Sequence, residues 1–478
     1  MLKIFNTLKR TLEEFKPLEK GQISFYQCGP TVYWVQHIGN LRGMTMADLI
    51  RRSLMYMDYQ VNFVRNYTDV GHLTGDNIGD ADTGEDRMEK AAKRENLDPQ
   101  AIADKYIDIF EKDTEALNIL EPNHKPVASQ YIVQMHKIIK KLLDKGYAYE
   151  TDKAVYFEVV KFENYTKLSG QKLEKNKAGE GKGDISDPDK KAPNDFALWF
   201  FKTGAHKNAL QYWPSPFQSK EVENGEGIPG WHIECSAMAE ELLGETIDLH
   251  MGGVEHISIH HTNEIAQSEA ANEVKFVNYW LHNEHLLIDD KKMSKSGGTA
   301  YILDDIREKG FEPLALRYFY LNAHYRSKQN FTWDALKGAE QSYNRLKSSI
   351  KRVISVMNAN NIEGEVNKEY KERFISALEN DFNIPEALAL LWELIKSDIP
   401  APDKIATIRD FDRVFGLNLI TDFVSPKLSN EVQDMIDKRE LARKLKNWTE
   451  ADELRDLLEK QHSVVVEDTP DGQRVIAR

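Results

Sequence analysis

The run Lys292-Met293-Ser294-Lys295-Ser296 places two ammonium groups and two hydroxyls side by side, and Gly297 and Gly298 follow it. Such a loop suits a triphosphate. The cations neutralise charge while the phosphates are held for in-line attack, and the glycines let the backbone bend closely around the ligand. A charge run is also the ordinary pattern of a solvated face, so the loop gains meaning only with a partner. One candidate stands far upstream, His37-Ile38-Gly39-Asn40, at the turn after an apolar strand. A second group is Cys28, Cys235, His260 and Glu264. Two thiolates, one imidazole and one carboxylate suffice for a tetrahedral zinc site. His260 and Glu264 are spaced to share one face of a helix. Each of these residues has a plainer reading, as buried cysteine or as a surface His–Glu pair, and no CxxC motif accompanies them.

What joins them is the set of elements that must position them. Ile23 to Cys28 alternates as a strand does and stops at Gly29-Pro30. Apolar residues from Met44 to Met57 recur at helical spacing, and Val61 to Val64 reads as a second strand. This is a parallel βαβ unit, whose ligand crevice lies at the carboxyl ends of the strands. Cys28, His37 and Thr68 fall at those ends. Downstream, Gly230 to Ser236 leads into helical spacing, which puts Cys235 near a helix N-terminus, where the dipole favours a thiolate. A strand over Thr246–His250 and a helix from His260 to Ala271 complete the second half. All four metal-ligand candidates therefore border strand ends or helix starts of one crevice.

Composition narrows the class. The 478 residues allow two to four domains, and a net charge of −14 argues against a sequence-blind nucleic-acid binder while leaving room for local basic patches. No apolar run has transmembrane length and no signal-peptide pattern follows Met1-Leu2-Lys3, so a cytoplasmic protein with no membrane partner is expected. The two cysteines are expected to be free thiols, core residues or metal ligands rather than a disulfide. The Walker pattern does not occur. The segment Lys177–Asp184 lacks the Walker spacing, and Asp76–Asp86 fails the EF-hand spacing, so both are read as parts of solvated loops.

The remaining segments fill in the architecture. Asp98 to Tyr147 has helical periodicity, Ala154 to Val159 alternates, and Asp195 to Phe200 returns the chain toward the core. The middle region reads as an insertion, about 115–225, between two halves of a nucleotide fold that spans 1–310. Amphipathic helical runs from Ala335 to Met357 and from Tyr370 to Lys396, the second interrupted at Asp381–Pro385, predict a helical bundle over 311–425. A small C-terminal domain over 430–478 carries Arg443, Lys444 and Lys446 around Trp448 and ends in a hairpin about Asp471-Gly472. Basic residues beside an aromatic suit a splayed single-stranded loop such as an anticodon, although a solvated charged helix has the same composition. The expected fold is α/β: a parallel-sheet, Rossmann-like catalytic domain with an inserted α+β segment, then a helical bundle and a small C-terminal domain.

The paired loops resemble the nucleotide signatures of class I aminoacyl-tRNA synthetases, usually HIGH and KMSKS, with Asn40 in place of the last histidine. Taken with CGPTVY, GWHIECSAMA and HHTNEIAQSEAA, they are similar to the cysteinyl-tRNA synthetase family over most of the chain. The resemblance implies activation of L-cysteine with ATP and Mg2+, then transfer to the terminal adenosine of tRNA(Cys), by a monomer. It implies one Zn2+ per chain on Cys28, Cys235, His260 and Glu264, selecting the substrate thiolate. Shape alone separates cysteine from serine poorly, whereas zinc prefers sulfur. ATP would be held by His37, Gly39, Asn40, Ser294 and Lys295, with His37, Lys292 and Lys295 catalytic. Cys28, Thr68 and Trp231 would line the cysteine pocket. For Trp231 the alternative is core packing, and for Thr68 a strand-end hydrogen bond. Departures from the family pattern occur at Gly71-His72, His250-Met251, Ser258-Ile259 and Gly298-Thr299. Two rivals remain at this level. A ligase joining cysteine to an amino sugar would not need the tail beyond Asn430, and an inactive binding paralogue would be expected to have lost His37 or Lys295.

Overall fold

The computed structural model describes residues 1–71, 86–171, 187–293, 299–355, 364–420, 430–462, 464–469 and 472–477. Its centre is a four-stranded parallel sheet, in the spatial order Val277–Asn283, Ile247–Gly253, Gln22–Gln27, Gln60–Arg65. The helix Ile38–Tyr56 crosses from the Gln22–Gln27 strand to its outer neighbour. The helix His260–Asn272 crosses from Ile247–Gly253 to the opposite edge. The two crossovers thus run in opposite directions from the two central strands, which pair with Phe25 opposite Leu249. A crevice must open where the strand order reverses.

The first crossover helix begins at Ile38, earlier than its periodicity shows. His37 caps it, accepting the Asn40 N–H on Nδ1 at 3.1 Å, which satisfies one of the orphan donors of the first turn. Its amphipathic pattern is masked because Arg42, Asp48, Arg51 and Arg52 are buried along with its apolar residues.

The inserted segment forms an antiparallel sheet in the order Ala148–Glu150, Ala154–Phe157, Phe196–Phe201, Gly227–Pro229. Every residue of Phe196–Phe201 is buried, as expected for a strand covered on both faces. Trp199 shares one hydrophobic core with Tyr26, Val64, Ile233, Ile265 and Trp280. The last inserted strand runs directly into the helix Trp231–Leu243. A third small sheet joins Leu286–Ile288 to Lys291–Lys292 and Gln329–Phe331. Asp289 and Asp290 make its hairpin turn with φ of 48° and 61°, the two left-handed residues of a type I′ turn.

Two compact units can be separated. The first comprises Met1–Asn344, Glu369–Trp392 and Arg413–Leu417, and the second Arg345–Lys368, Glu393–Asp412 and Asn418–Arg478. Between the helices Lys368–Glu379 and Ile384–Lys396 the chain turns through Asp381 and Phe382, with φ of 54° and 55°. The Asp381 carboxylate accepts hydrogen bonds from the Phe5 amide, the Tyr325 hydroxyl and Arg326. In the second unit the helices Asn430–Lys444 and Trp448–His462 pack with the hairpin Val464–Thr469/Gly472–Ala477 around Val432, Ile436 and Leu458. Trp448 opens the second of these helices and is 57% exposed. Among the described residues no helix is long and apolar enough to cross a membrane. Residues 76–85 of the acidic loop, and all of Lys177–Asp184, lie outside the described residues. Asp86 caps the helix Arg87–Glu95 through its side chain.

A buried ion group ties the first crossover helix to its surroundings. Asp48 meets Arg317 at 2.6 Å and Arg52 at 2.9 Å, and Arg317 also donates to the carbonyls of Leu117 and Phe415. Burial alone would raise the Asp48 pKa, but the two arginines hold it below its usual value. Its stabilising contribution is therefore complete above about pH 4 and is lost as pH falls through the folded value. Arg317→Met leaves the buried carboxylate short of one cation, which costs about 3–5 kcal/mol. Denaturant unfolding of the variant is expected to show that loss, widening as pH rises through about 4; unchanged stability at neutral pH would contradict it.

Candidate active site

Cys28 follows directly on the Gln22–Gln27 strand, and its amide donates to the Met251 carbonyl of the neighbouring strand. The next residue must be glycine. A Cβ on Gly29 would lie 1.7 Å from the Asn66 carbonyl oxygen, while the Gly29 amide donates to the Asn66 side chain. Cys235 lies in the second turn of the helix that begins at Trp231, deeper than the sequence pattern indicates. His260 and Glu264 occupy successive turns of the second crossover helix, on one face.

These four residues converge. One donor atom from each of Cys28, Cys235, His260 and Glu264 lies within 4.8 Å of every other, and all four side chains are buried. The two sulfurs are 3.9 Å apart. A tetrahedral ion with Zn–S bonds of about 2.3 Å requires sulfurs about 3.8 Å apart, so the pair fits zinc. The two Glu264 oxygens are differently engaged. Oε1 lies 2.8 Å from His260 Nε2 and 3.8 Å from Cys28, while Oε2 takes a 2.7 Å hydrogen bond from His250. Oε1 is thus the oxygen aimed at an ion, and His250 orients it from behind.

A second set, Cys28, His250, His261 and Glu264, satisfies the same closeness. It shares two donors with the first and has one sulfur instead of two, and His250 is already committed to Glu264 Oε2. The first set is the better zinc site because thiolates suit that ion.

The charges agree with a cation site. Burial, reinforced by Cys235, pushes the Cys28 thiol well up, whereas the hydrogen bond from Cys28 brings Cys235 down to about 7 despite burial. The source of the lowered Cys235 pKa is its sulfur neighbour first, rather than a helix end. Burial opposes a charge on His260, but Glu264 and Cys235 outweigh it and raise the ring to about 10. Burial likewise opposes ionisation of Glu264, and His250 and His260 hold its carboxyl well below the usual range. The acidic donors thus depend on nearby positive charge, which a divalent ion supplies more directly than His260 does.

Sequence reasoning missed the ring of histidines behind these donors. His232 shares a 2.9 Å hydrogen bond with His260, and His261 lies 3.4 Å from the Cys28 sulfur. His261 bonds in turn to His282, which reaches Thr7. Burial lowers His261 and His282 well below the ordinary histidine value. The available signal was density, since His232, His250, His256, His260, His261 and His282 all fall in one short stretch.

Trp231 is half-buried, its ring packed at a tilt against His260 with centroids 4.3 Å apart. Thr68 is buried three residues beyond the outer strand, where its hydroxyl accepts a hydrogen bond from Asn66 and its backbone bridges Thr31. His37 also meets the chain downstream of the basic loop. It forms a bridge with Ile302, and the Ile38 amide donates to the Tyr301 carbonyl. A Cβ on Gly39 would fall 2.1 Å from Met293 Cε, so that glycine admits the first residues of the loop. Lys292 ends the small hairpin and is exposed. Ser294 and Lys295 lie outside the described residues, between flanks that both approach His37 and Gly39.

The fold is that of a class I aminoacyl-tRNA synthetase. Two Mycobacterium tuberculosis methionyl-tRNA synthetase structures with methionyl-adenylate superpose at TM-scores of 0.56 and 0.55, each with 15% identity. The first covers 84% of this chain and 91% of that one, the second 89% and 96%. The class I (C) tRNA synthetase catalytic domain matches residues 14–341, a DALR domain 373–397, and a cysteinyl-tRNA ligase anticodon binding domain 425–475. A cysteine–tRNA ligase of Burkholderia lata is 40% identical over 476 residues, covering 99% of this chain and 96% of that one. That of Treponema denticola is 39% identical, with 98% of each chain covered, and that of Lactococcus lactis 37%, with 99% of each. The chain belongs to the cysteine–tRNA ligase family.

Elemental analysis of purified protein is expected to find about one zinc per chain. Cys235→Ser should lose most of it with the circular dichroism spectrum preserved, and His250→Ala should weaken zinc binding about 10–100-fold. A full equivalent of zinc in Cys235→Ser would remove Cys235 from the donor set.

Proposed function

We propose that this protein activates L-cysteine with ATP and transfers it to the terminal adenosine of tRNA(Cys), with zinc on Cys28, Cys235, His260 and Glu264 selecting the substrate by its sulfur. The convergence of those four buried donors at the centre of the sheet carries this reading. When bound, zinc supplies a soft Lewis acid that takes a thiolate in preference to a neutral hydroxyl. Trp231, packed against His260, shapes the wall of the same pocket.

The cysteine carboxylate attacks the α-phosphate of Mg·ATP, and the bond to pyrophosphate breaks. His37, Gly39 and Asn40 bind the nucleotide, and Lys292, Ser294 and Lys295 neutralise its phosphates. Their task is to stabilise charge on the departing pyrophosphate. The ribose hydroxyl of the tRNA then attacks the activated carbonyl, and AMP leaves. No group on the protein forms a covalent bond, so catalysis rests on positioning and electrostatics. The match of residues 425–475 to an anticodon binding domain supports tRNA as the acceptor over a small amino sugar. The proposed setting is the cytoplasm, and the working form is a monomer.

Amino-acid-dependent ATP–pyrophosphate exchange tests the activation half. Exchange is expected with cysteine and well over about 100-fold less with serine, beyond the margin by which shape alone separates near-isosteres. Lys295→Ala should depress exchange about 100-fold while cysteine still binds, a loss typical of removing one charge-stabilising group. Equal exchange with serine would contradict selection by metal, and a wild-type rate in Lys295→Ala would remove that lysine from the phosphate site.

A further inference from the structure

The segment between Cys28 and His37 carries one feature that cysteine activation does not use. Trp34 is 37% exposed although Val32 and Gln36, two residues before and after it, are buried. The Arg94 guanidinium lies 4.0 Å from the centroid of its ring. Arg94 is itself held, donating to Glu95 at 2.6 Å and to the Tyr106 hydroxyl at 3.3 Å. The Tyr106 ring stands 6.1 Å from that of Trp34. The neighbouring pair repeats the pattern, with Arg87 5.6 Å from the Tyr33 ring centroid and bonded to its hydroxyl at 3.2 Å. Arg87 and Arg94 are two turns apart on the helix Arg87–Glu95, hence on one face. Two consecutive aromatic residues thus meet two arginines of one helix at the rim of the crevice.

We infer that Trp34, backed by Arg94, is a stacking platform for the unpaired bases that precede the terminal adenosine of the RNA substrate. This rests on the proposed function, which requires a single-stranded 3′ end to enter the crevice. Unpaired bases are held by stacking on aromatic rings and guanidinium planes, with cations nearby for the backbone phosphates. Arg87 and Arg94 place two guanidinium groups beside the two rings. The platform is tied to the site it serves. Gln36 donates to the Trp34 carbonyl and accepts from Asn40, so the exposed indole is fixed to the nucleotide signature. The ATP base is a poorer occupant. Among the described residues, the flanks of the basic loop reach His37 and Gly39 through Met293 against Gly39 and the Ile38 amide on the Tyr301 carbonyl.

The test compares full-length parent, Trp34→Ala, Trp34→Phe and Arg94→Ala in three assays. Cysteine-dependent pyrophosphate exchange in Trp34→Ala should stay within about twofold of the parent, while kcat/KM for charging full-length tRNA(Cys) falls on the order of tenfold or more. Trp34→Phe should recover most of the loss, and Arg94→Ala should fall between. A tRNA lacking its last three nucleotides should inhibit parent and Trp34→Ala equally. Unchanged charging by Trp34→Ala would overturn the platform. So would a parallel fall in exchange, which would place the indole in the activation pocket, or weaker inhibition by the truncated tRNA, which would place the contact on the folded body of the RNA. Absence of exchange in the parent would overturn the proposed function, a result distinct from all of these.

Discussion

The parallel pairing of Gln22–Gln27 with Ile247–Gly253 is the constraint on which the site depends. Separated by more than two hundred residues of chain, these strands stand side by side at the centre of the sheet, and their crossover helices diverge from them. Backbone hydrogen bonding at that junction fixes Cys28 against Met251. The helix after one strand starts with His37 as its cap, and the helix after the other starts with His260. The inserted sheet contributes by ending where the Cys235 helix must begin. Three separate stretches of sequence thus deliver four donors to one buried point with no loop having to search for it.

Burial gives that point its chemistry and its cost. Two thiols, a carboxylate and several imidazoles are removed from water together, and a buried charge is tolerated only with compensation. The groups compensate one another: His260 is drawn toward its charged form by Glu264, and His250 braces the same carboxylate. A divalent cation at the centre of the donors would do the same work with two charges. Burial holds His261 and His282 toward their neutral forms, so the shell behind the sulfurs would add no repulsion to a cation there.

How much of this is legible in the sequence depends on how local the cause is. The βαβ unit is visible because alternation in Ile23–Cys28 and the glycine–proline stop are local, and so is the break at Asp381–Pro385. The early start of the first helix is hidden because its buried face carries Arg42, Asp48 and Arg52, whose partners come from distant segments. The N-terminal hairpin Lys3–Asn6/Thr11–Glu14 is missed because its burial alternation is weak and its support comes from Asp381 and Asn278. At the site, Cys28, Cys235, His260 and Glu264 can be nominated from residue type and position, but their convergence is a property of the strand order. His232, His250, His261 and His282 have no spacing rule to reveal them, since they act through hydrogen bonds across elements.

The central claim is that the metal held by these donors reads the substrate's sulfur directly. Zinc-edge X-ray absorption on the purified protein measures it. The account predicts two sulfurs at about 2.3 Å and two lighter neighbours at about 2.0–2.2 Å without substrate, and an additional sulfur at a similar distance once cysteine is added. Serine should leave the sulfur count unchanged. A sulfur count that cysteine does not alter, or a spectrum that serine and cysteine change alike, would contradict it.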